Sequence, residues 1–155
     1  MEFQVSALST DEFSHLFGLD DESLAKNGAR RMQVDLKPGY PCRVTLEDAD
    51  IGESVLLLNY EHLAVDTPYR STHAIFVREG VTTCSPVVNR IPEQLKMRLL
   101  SIRAFDAGGM MVNADVVHGK ESEPVIRRLL DDQRVDYLHI HNAKPGCYAA
   151  RVDRL

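Results

Sequence analysis

Apolar and polar positions alternate most regularly near the C-terminus, where Leu138 and Ile140 interleave with Tyr137, His139 and His141. A period of two is the signature of a half-buried β-strand. Residues 142–146 then supply turn chemistry in an Asn and a Pro-Gly pair, and Cys147 to Val152 resume as a second strand, so the unit is predicted to be a β-hairpin. Leu138 and Ile140 need apolar company on their face, and Tyr148, Ala150 and Val152 supply it if the connecting loop has an odd residue count. That register places His139 and His141 on the opposite face with Cys147 and Arg151.

The rest of the chain carries weaker versions of the same two periods. Phe3 to Val5 is a short strand. Ser9-Thr10-Asp11-Glu12 matches a capping box and predicts a short helix carrying Phe13, Leu16 and Phe17, ended by Gly18. Asp20 to Glu22 opens a second short helix with Leu24, stopped by Asn27-Gly28. Residues 30–36 and 42–46 are predicted strands around the two-proline loop at Pro38 and Pro41. Residues 54–62, SVLLLNYEH, hold an unbroken Val-Leu-Leu-Leu run and predict a central strand whose polar end sends Asn59 and Glu61 to one face and Tyr60 and His62 to the other. Residues 73–79 form the next strand and residues 82–89 a loop. Pro92 is placed at the first position of a helix over 92–98. Residues 99–106 and 110–117 form a second hairpin across Gly108-Gly109, and residues 121–132 an amphipathic helix with Val125, Leu129 and Leu130 on one stripe. The sum is an α+β fold, a mostly antiparallel β-sheet with short helices packed on it, without repeats or linkers.

Length and charge narrow the classes. The 155 residues are expected to form a single domain over residues 1–155. A net charge of −5 with Lys and Arg scattered gives no cationic footprint for a phosphate backbone, so no nucleic-acid partner is expected. Apolar runs of four or five residues are too short for a membrane span, and the N-terminus lacks a secretory pattern, which predicts a soluble, cytoplasmic chain without a membrane partner. Three cysteines, Cys42, Cys84 and Cys147, are odd in number and never spaced as CxxC, so reduced thiols are expected.

The chemistry concentrates in the last hairpin. His139 and His141 are the candidate acid–base residues, about 7 Å apart along one strand face. Two imidazoles so placed could share a metal ion only with a third ligand, with Cys147 nearest and Glu61, His62, His73 or Asp106 more remote, and no metal set is assigned. Hydrogen bonding within the sheet is the plain alternative. Cys147 is a conceivable nucleophile beside histidine, although a free cysteine is more often a small buried hydrophobe. Arg43, Arg70, Arg78, Arg103 and Arg151 each end or interrupt an apolar segment, where a guanidinium can clamp a carboxylate or phosphate, while most should be paired with the abundant acids. Arg151, Arg103, Asn142, Asn59, Glu61 and Cys147 complete the candidate ligand-binding set. No GxGxxG, P-loop, HExxH or GxSxG is present, which leaves the cofactor unassigned and removes the standard support for dinucleotide, P-loop and serine-hydrolase chemistry.

The segments RRMQVDLKPGYPCRVTLEDA, GESVLLLNYEH, TPYRSTHAIFVRE, LLSIRAFDAGGMMVNADVV and YLHIHNAKPGCYAARVDR resemble the domain of unknown function 1203 family. The resemblance implies a small single-domain bacterial protein and carries over no activity, cofactor or catalytic residue. From the residues themselves, the expected function is binding of an anionic or polar small molecule in a pocket rimmed by the final hairpin, with histidine as acid or base if a reaction occurs. The alternative is a non-catalytic interaction module or homo-oligomer built on a sheet face or edge. Convergence of the polar residues in one concave pocket discriminates between them.

Overall fold

The computed structural model describes Met1–Leu155. Its strands are β1 (Phe3–Ser6), β2 (Ala29–Gln33), β3 (Ser54–Leu63), β4 (Ser71–Arg78), β5 (Val87–Val88), β6 (Leu99–Phe105), β7 (Met111–His118), β8 (Tyr137–Asn142) and β9 (Tyr148–Arg154). The helices are α1 (Asp21–Lys26), α2 (Glu93–Lys96) and α3 (Ser122–Asp131). Two antiparallel sheets result, one of six strands in the order β5-β1-β9-β8-β6-β7 and one of three in the order β2-β3-β4. The fold is therefore α+β and mostly β. No helix is long and apolar enough to cross a membrane, and all three cysteines are free thiols.

The six-stranded sheet has two unlike faces, set by alternation. Leu100, Ile102 and Ala104 of β6, Leu138 and Ile140 of β8, and Ala150 and Val152 of β9 pack with Ile126, Leu129 and Leu130 of α3 in the main apolar core. The apolar stripe of α3 explains its docking there. Ser101, Arg103 and Phe105 alternate to the other face, opposite His141, His139 and Tyr137. The three-stranded sheet makes its own core, in which Ala29, Leu56, Leu58, Ile75 and Val77 meet Leu24 of α1 and Phe13 and Leu16 of the N-terminal segment.

Several local expectations are corrected. Residues 9–17 form two 3-10 turns, Thr10–Glu12 and Ser14–Leu16, rather than one helix, with Ser9 Oγ accepting from Asp11 N–H. Residues 42–46 are not a strand. Cys42 N–H bonds Glu47 O and Leu46 N–H bonds Cys42 O, closing a tight loop with Leu46 at φ 54°, and only isolated bridges tie it to Asp48 and Phe76. Val87–Val88, expected in a loop, instead pairs with the edge of β1, and Pro92 caps α2 rather than opening it.

The strand β8 departs from the half-buried expectation, since all six of its residues are buried. Its outer face meets the second sheet instead of water. Tyr148 also lies on the histidine side rather than with Leu138 and Ile140. Ile140 pairs with Ala150 and His141 with Tyr148, so Ala149 is the extra residue of a β-bulge, and one extra residue reverses the facing of everything before it.

Candidate functional site

Four of the six histidines meet between the two sheets. His139 and His141 project from β8, and His62 and His73 come from the ends of β3 and β4 nearest to it. His62 reaches the site from a stretch where the β3–β4 ladder is irregular, between Tyr60 and Leu63. Its ring lies parallel to that of Tyr148 at 5.0 Å between centroids, and Tyr148 also abuts His139 at 4.9 Å. Phe105 and Tyr137 close the other side, each within 5.5 Å of the His139 ring. The bulge at Ala149 is what aims Tyr148 into this layer.

Hydrogen bonding fixes the chemical state of the rings. His141 Nδ1 lies 2.9 Å from Gly146 O. A carbonyl only accepts, so Nδ1 carries the proton and Nε2 of the neutral ring holds a lone pair. That Nε2 is buried without a hydrogen-bond partner. Gly146 makes the contact available because it sits at φ +80°, where a side chain would be strained, and turns its carbonyl back over β8. His73 Nδ1 lies 2.7 Å from His62 Nε2, and His62 Nδ1 lies 3.4 Å from His139 Nδ1, forming a chain of three imidazoles. Burial, with the like charges of neighbouring His73 and Arg103, lowers His62 to about 4. Burial likewise holds His139 and His141 down to about 3 and pulls His73 below its usual value. The cluster is neutral at pH 7.

A cleft of roughly 560 Å³ opens onto this layer at His73. Leu57, Phe76, Met97 and Leu99 give it apolar walls, and Arg43, Arg98, Lys144, Asn142 and Cys147 give it polar ones. Arg98 is paired with Asp48 at 2.6 Å. Arg43 is 1% exposed and has no carboxylate. It donates to Tyr148 O at 2.7 Å, to Pro41 O, and to Cys147 Sγ at 2.9 Å. Burial pulls its pKa below the usual guanidinium value, the mark of a cation without full compensation. Asn142 Nδ2 points at Cys147 Sγ at 3.7 Å, and its Oδ1 is buried without a partner.

The arginines predicted as clamps separate by their partners. Arg70 pairs with Glu61, Arg78 with Glu53, and Arg151 with Asp153 while lying 4.1 Å over the Tyr137 ring. Arg103 and Arg43 have no acid. Arg103 sits opposite His139 in the ladder, and its one side-chain hydrogen bond goes to Ser101 Oγ at 3.3 Å. His139, His141, Arg103, Arg151, Asn142 and Cys147 are thus gathered around the inter-sheet layer and its cleft. Asn59 is exposed, and Glu61 is turned to Arg70. His62 and His73, remote candidates in the sequence, are central here. Their convergence depends on sheet-on-sheet packing, for which the only local signal was a histidine at the polar end of each of two apolar strands.

Comparison with curated proteins and with solved structures yields no match. Residues 39–154 match the family model described as "Protein of unknown function (DUF1203)", a span that takes in β3 to β9, all four clustered histidines and the whole cleft lining. The chain belongs to that family.

Proposed function

We propose that the protein binds a small molecule with an anionic group and an apolar body in the cleft between Arg43, Lys144 and His73, and that His73, with His62 and His139 behind it, exchanges a proton with the ligand. The observation that carries this reading is the Arg43 guanidinium, buried in the cleft wall without a carboxylate. A buried charge without a counter-ion is expensive, and an incoming carboxylate or phosphate offsets that cost. Asn142, with an unpartnered buried Oδ1, offers an acceptor for a ligand hydroxyl or amine. Leu57, Phe76 and Leu99 suit an apolar body. His73 lines the cleft and is bonded to His62, which in turn faces His139, so a proton taken up at His73 has a route inward.

Concavity favours this reading over an interaction module, because His73, Arg43, Asn142 and Cys147 line one hollow rather than a convex face. The test is thermal unfolding with a panel of carboxylates, inorganic phosphate and phosphate monoesters. At least one compound should raise the unfolding temperature of the parent in a concentration-dependent way. Lys144→Ala and Asn142→Asp, which remove a cation and add an anion at the cleft, should reduce the shift. Equal shifts in parent and variants, or no shift across the panel, reject the proposal.

A further inference from the structure

We infer that His62, His73 and His141 form a binding site for one divalent transition-metal ion of the zinc class, with a fourth coordination position left open on the cleft side. The three residues place ring nitrogens within 4.8 Å of one another. In a tetrahedral zinc site with Zn–N of about 2.0 to 2.1 Å, neighbouring ligand nitrogens lie about 3.3 Å apart. The His62 Nε2 to His73 Nδ1 separation of 2.7 Å and the 4.8 Å limit bracket that value, so small ring rotations suffice.

Protonation of the rings supplies an independent reason. His141 donates Nδ1–H to Gly146 O, which leaves Nε2 as a lone-pair donor that nothing in the protein uses, although it is buried. A backbone carbonyl on the far nitrogen is the usual support of a metal-bound imidazole, because it fixes the tautomer and the ring orientation. His62 is provided for in the same way. With Nε2 on the ion, its proton sits on Nδ1 and points at His139 Nδ1, 3.4 Å away. His139 is then a positioning residue and not a ligand.

Ligand type and charge set the class of ion. Imidazole donors suit zinc, copper, nickel and iron rather than magnesium or calcium. Three neutral imidazoles supply no negative charge, and Arg103 stands beside them without an acid, so the bound ion retains a full positive charge. The open position therefore favours hydroxide or an anionic ligand, and three histidines with an open position are the arrangement of hydrolytic and hydrating zinc sites. An ion bound there replaces the His62–His73 hydrogen bond and closes the proton route through it, so that route belongs to the metal-free protein, while the three-imidazole site itself stands without the anion reading.

The test is titration of the chelator-treated protein with Zn²⁺ and Co²⁺ by calorimetry in a non-coordinating buffer at pH 7, with the visible spectrum of the cobalt form recorded. One ion per chain and the intense absorption bands of low-coordinate cobalt are expected. His62→Ala and His73→Ala, checked for folding by circular dichroism, should each lose at least about 100-fold in affinity, more than the loss of a supporting hydrogen bond costs. His15→Ala and His118→Ala, which alter the two histidines outside the cluster, should bind as the parent does. Lys144→Ala, which weakens anion binding, should leave metal affinity unchanged and so separates failure of the cleft from failure of the metal site. Absence of binding at millimolar ion, or parent-like affinity in folded His73→Ala, overturns the inference.

Discussion

At β8 both faces of the six-stranded sheet are buried, yet they are made of different material. Under α3 lie Leu100, Ile102, Leu138, Ile140 and Val152, all fully buried and apolar. On the reverse, the same strands present Ser101, Arg103, His139, His141 and Tyr148 to the second sheet. The first face gains roughly 25 cal/mol for each Å² of apolar surface removed from water. The second desolvates four imidazoles and a guanidinium and leaves His141 Nε2 without a partner. An orphaned buried polar atom costs about 1 to 3 kcal/mol. A layer that fold stability alone would fill with Val or Leu is occupied by groups whose use is chemical, which is where local rules are expected to be broken.

The largest expected effect separates the faces directly. Ile140→Ala, on the apolar side, should lower stability by about 2 to 5 kcal/mol in denaturant unfolding. His139→Leu, one residue away on the other side, should change the metal-free protein by less than about 1 kcal/mol, because it removes a single long nitrogen contact and relieves a desolvated ring. A loss above about 2 kcal/mol for His139→Leu would make the polar layer structural. The small sheet repeats the contrast. Leu56 lies in its core while Leu57 lines the cleft, so the four-residue apolar run is not uniformly interior as its composition suggested. Leu56→Ala should cost about 2 to 5 kcal/mol and Leu57→Ala distinctly less. Equal losses would mean that the cleft is closed in solution.

The polar face should also make the metal-free protein acid-sensitive. The folded pKa values of His62, His139 and His141 are depressed to about 4, 3 and 3, against an unfolded value near 6.5. Between those limits the unfolded chain binds more protons, so stability falls as pH drops below about 6.5, by up to about 1.4 kcal/mol per pH unit for each of the buried His139 and His141 and by less for the part-exposed, solvent-screened His62. His139→Leu should make that slope shallower, and a slope unchanged by it would show that His139 is not held neutral. The smallest effect belongs to Arg103. Its charge lowers all four histidines, so Arg103→Met should raise their folded pKa values and weaken the acid sensitivity slightly. A steeper acid loss in that variant would contradict the placement of Arg103 beside the cluster.

Alternation made much of this legible. It placed Leu138 and Ile140 with Ala150 and Val152, and His139 with Arg151, as the ladder has them. It failed at Tyr148 because a bulge leaves no period of its own, and Ala149 carries no sequence mark of being the extra residue. Arg43 and Arg103 could not be told from Arg70, Arg78 and Arg151 by sequence, since the acids that neutralise the latter three are mostly brought close by folding. His62 lies 77 positions from His139 and His73 lies 68 from His141 (141 − 73), and only the packing of one sheet on the other unites them.

Nitrogen-15 NMR of the histidine rings tests the central claim that the reverse face of the sheet is a prepared site. At pH 6 to 7 in the metal-free protein, His141 should be neutral with its proton on Nδ1 and a bare Nε2, and one equivalent of Zn²⁺ should shift that Nε2 together with one ring nitrogen each of His62 and His73. An imidazolium at His141, a proton on its Nε2, or a spectrum indifferent to zinc would contradict it.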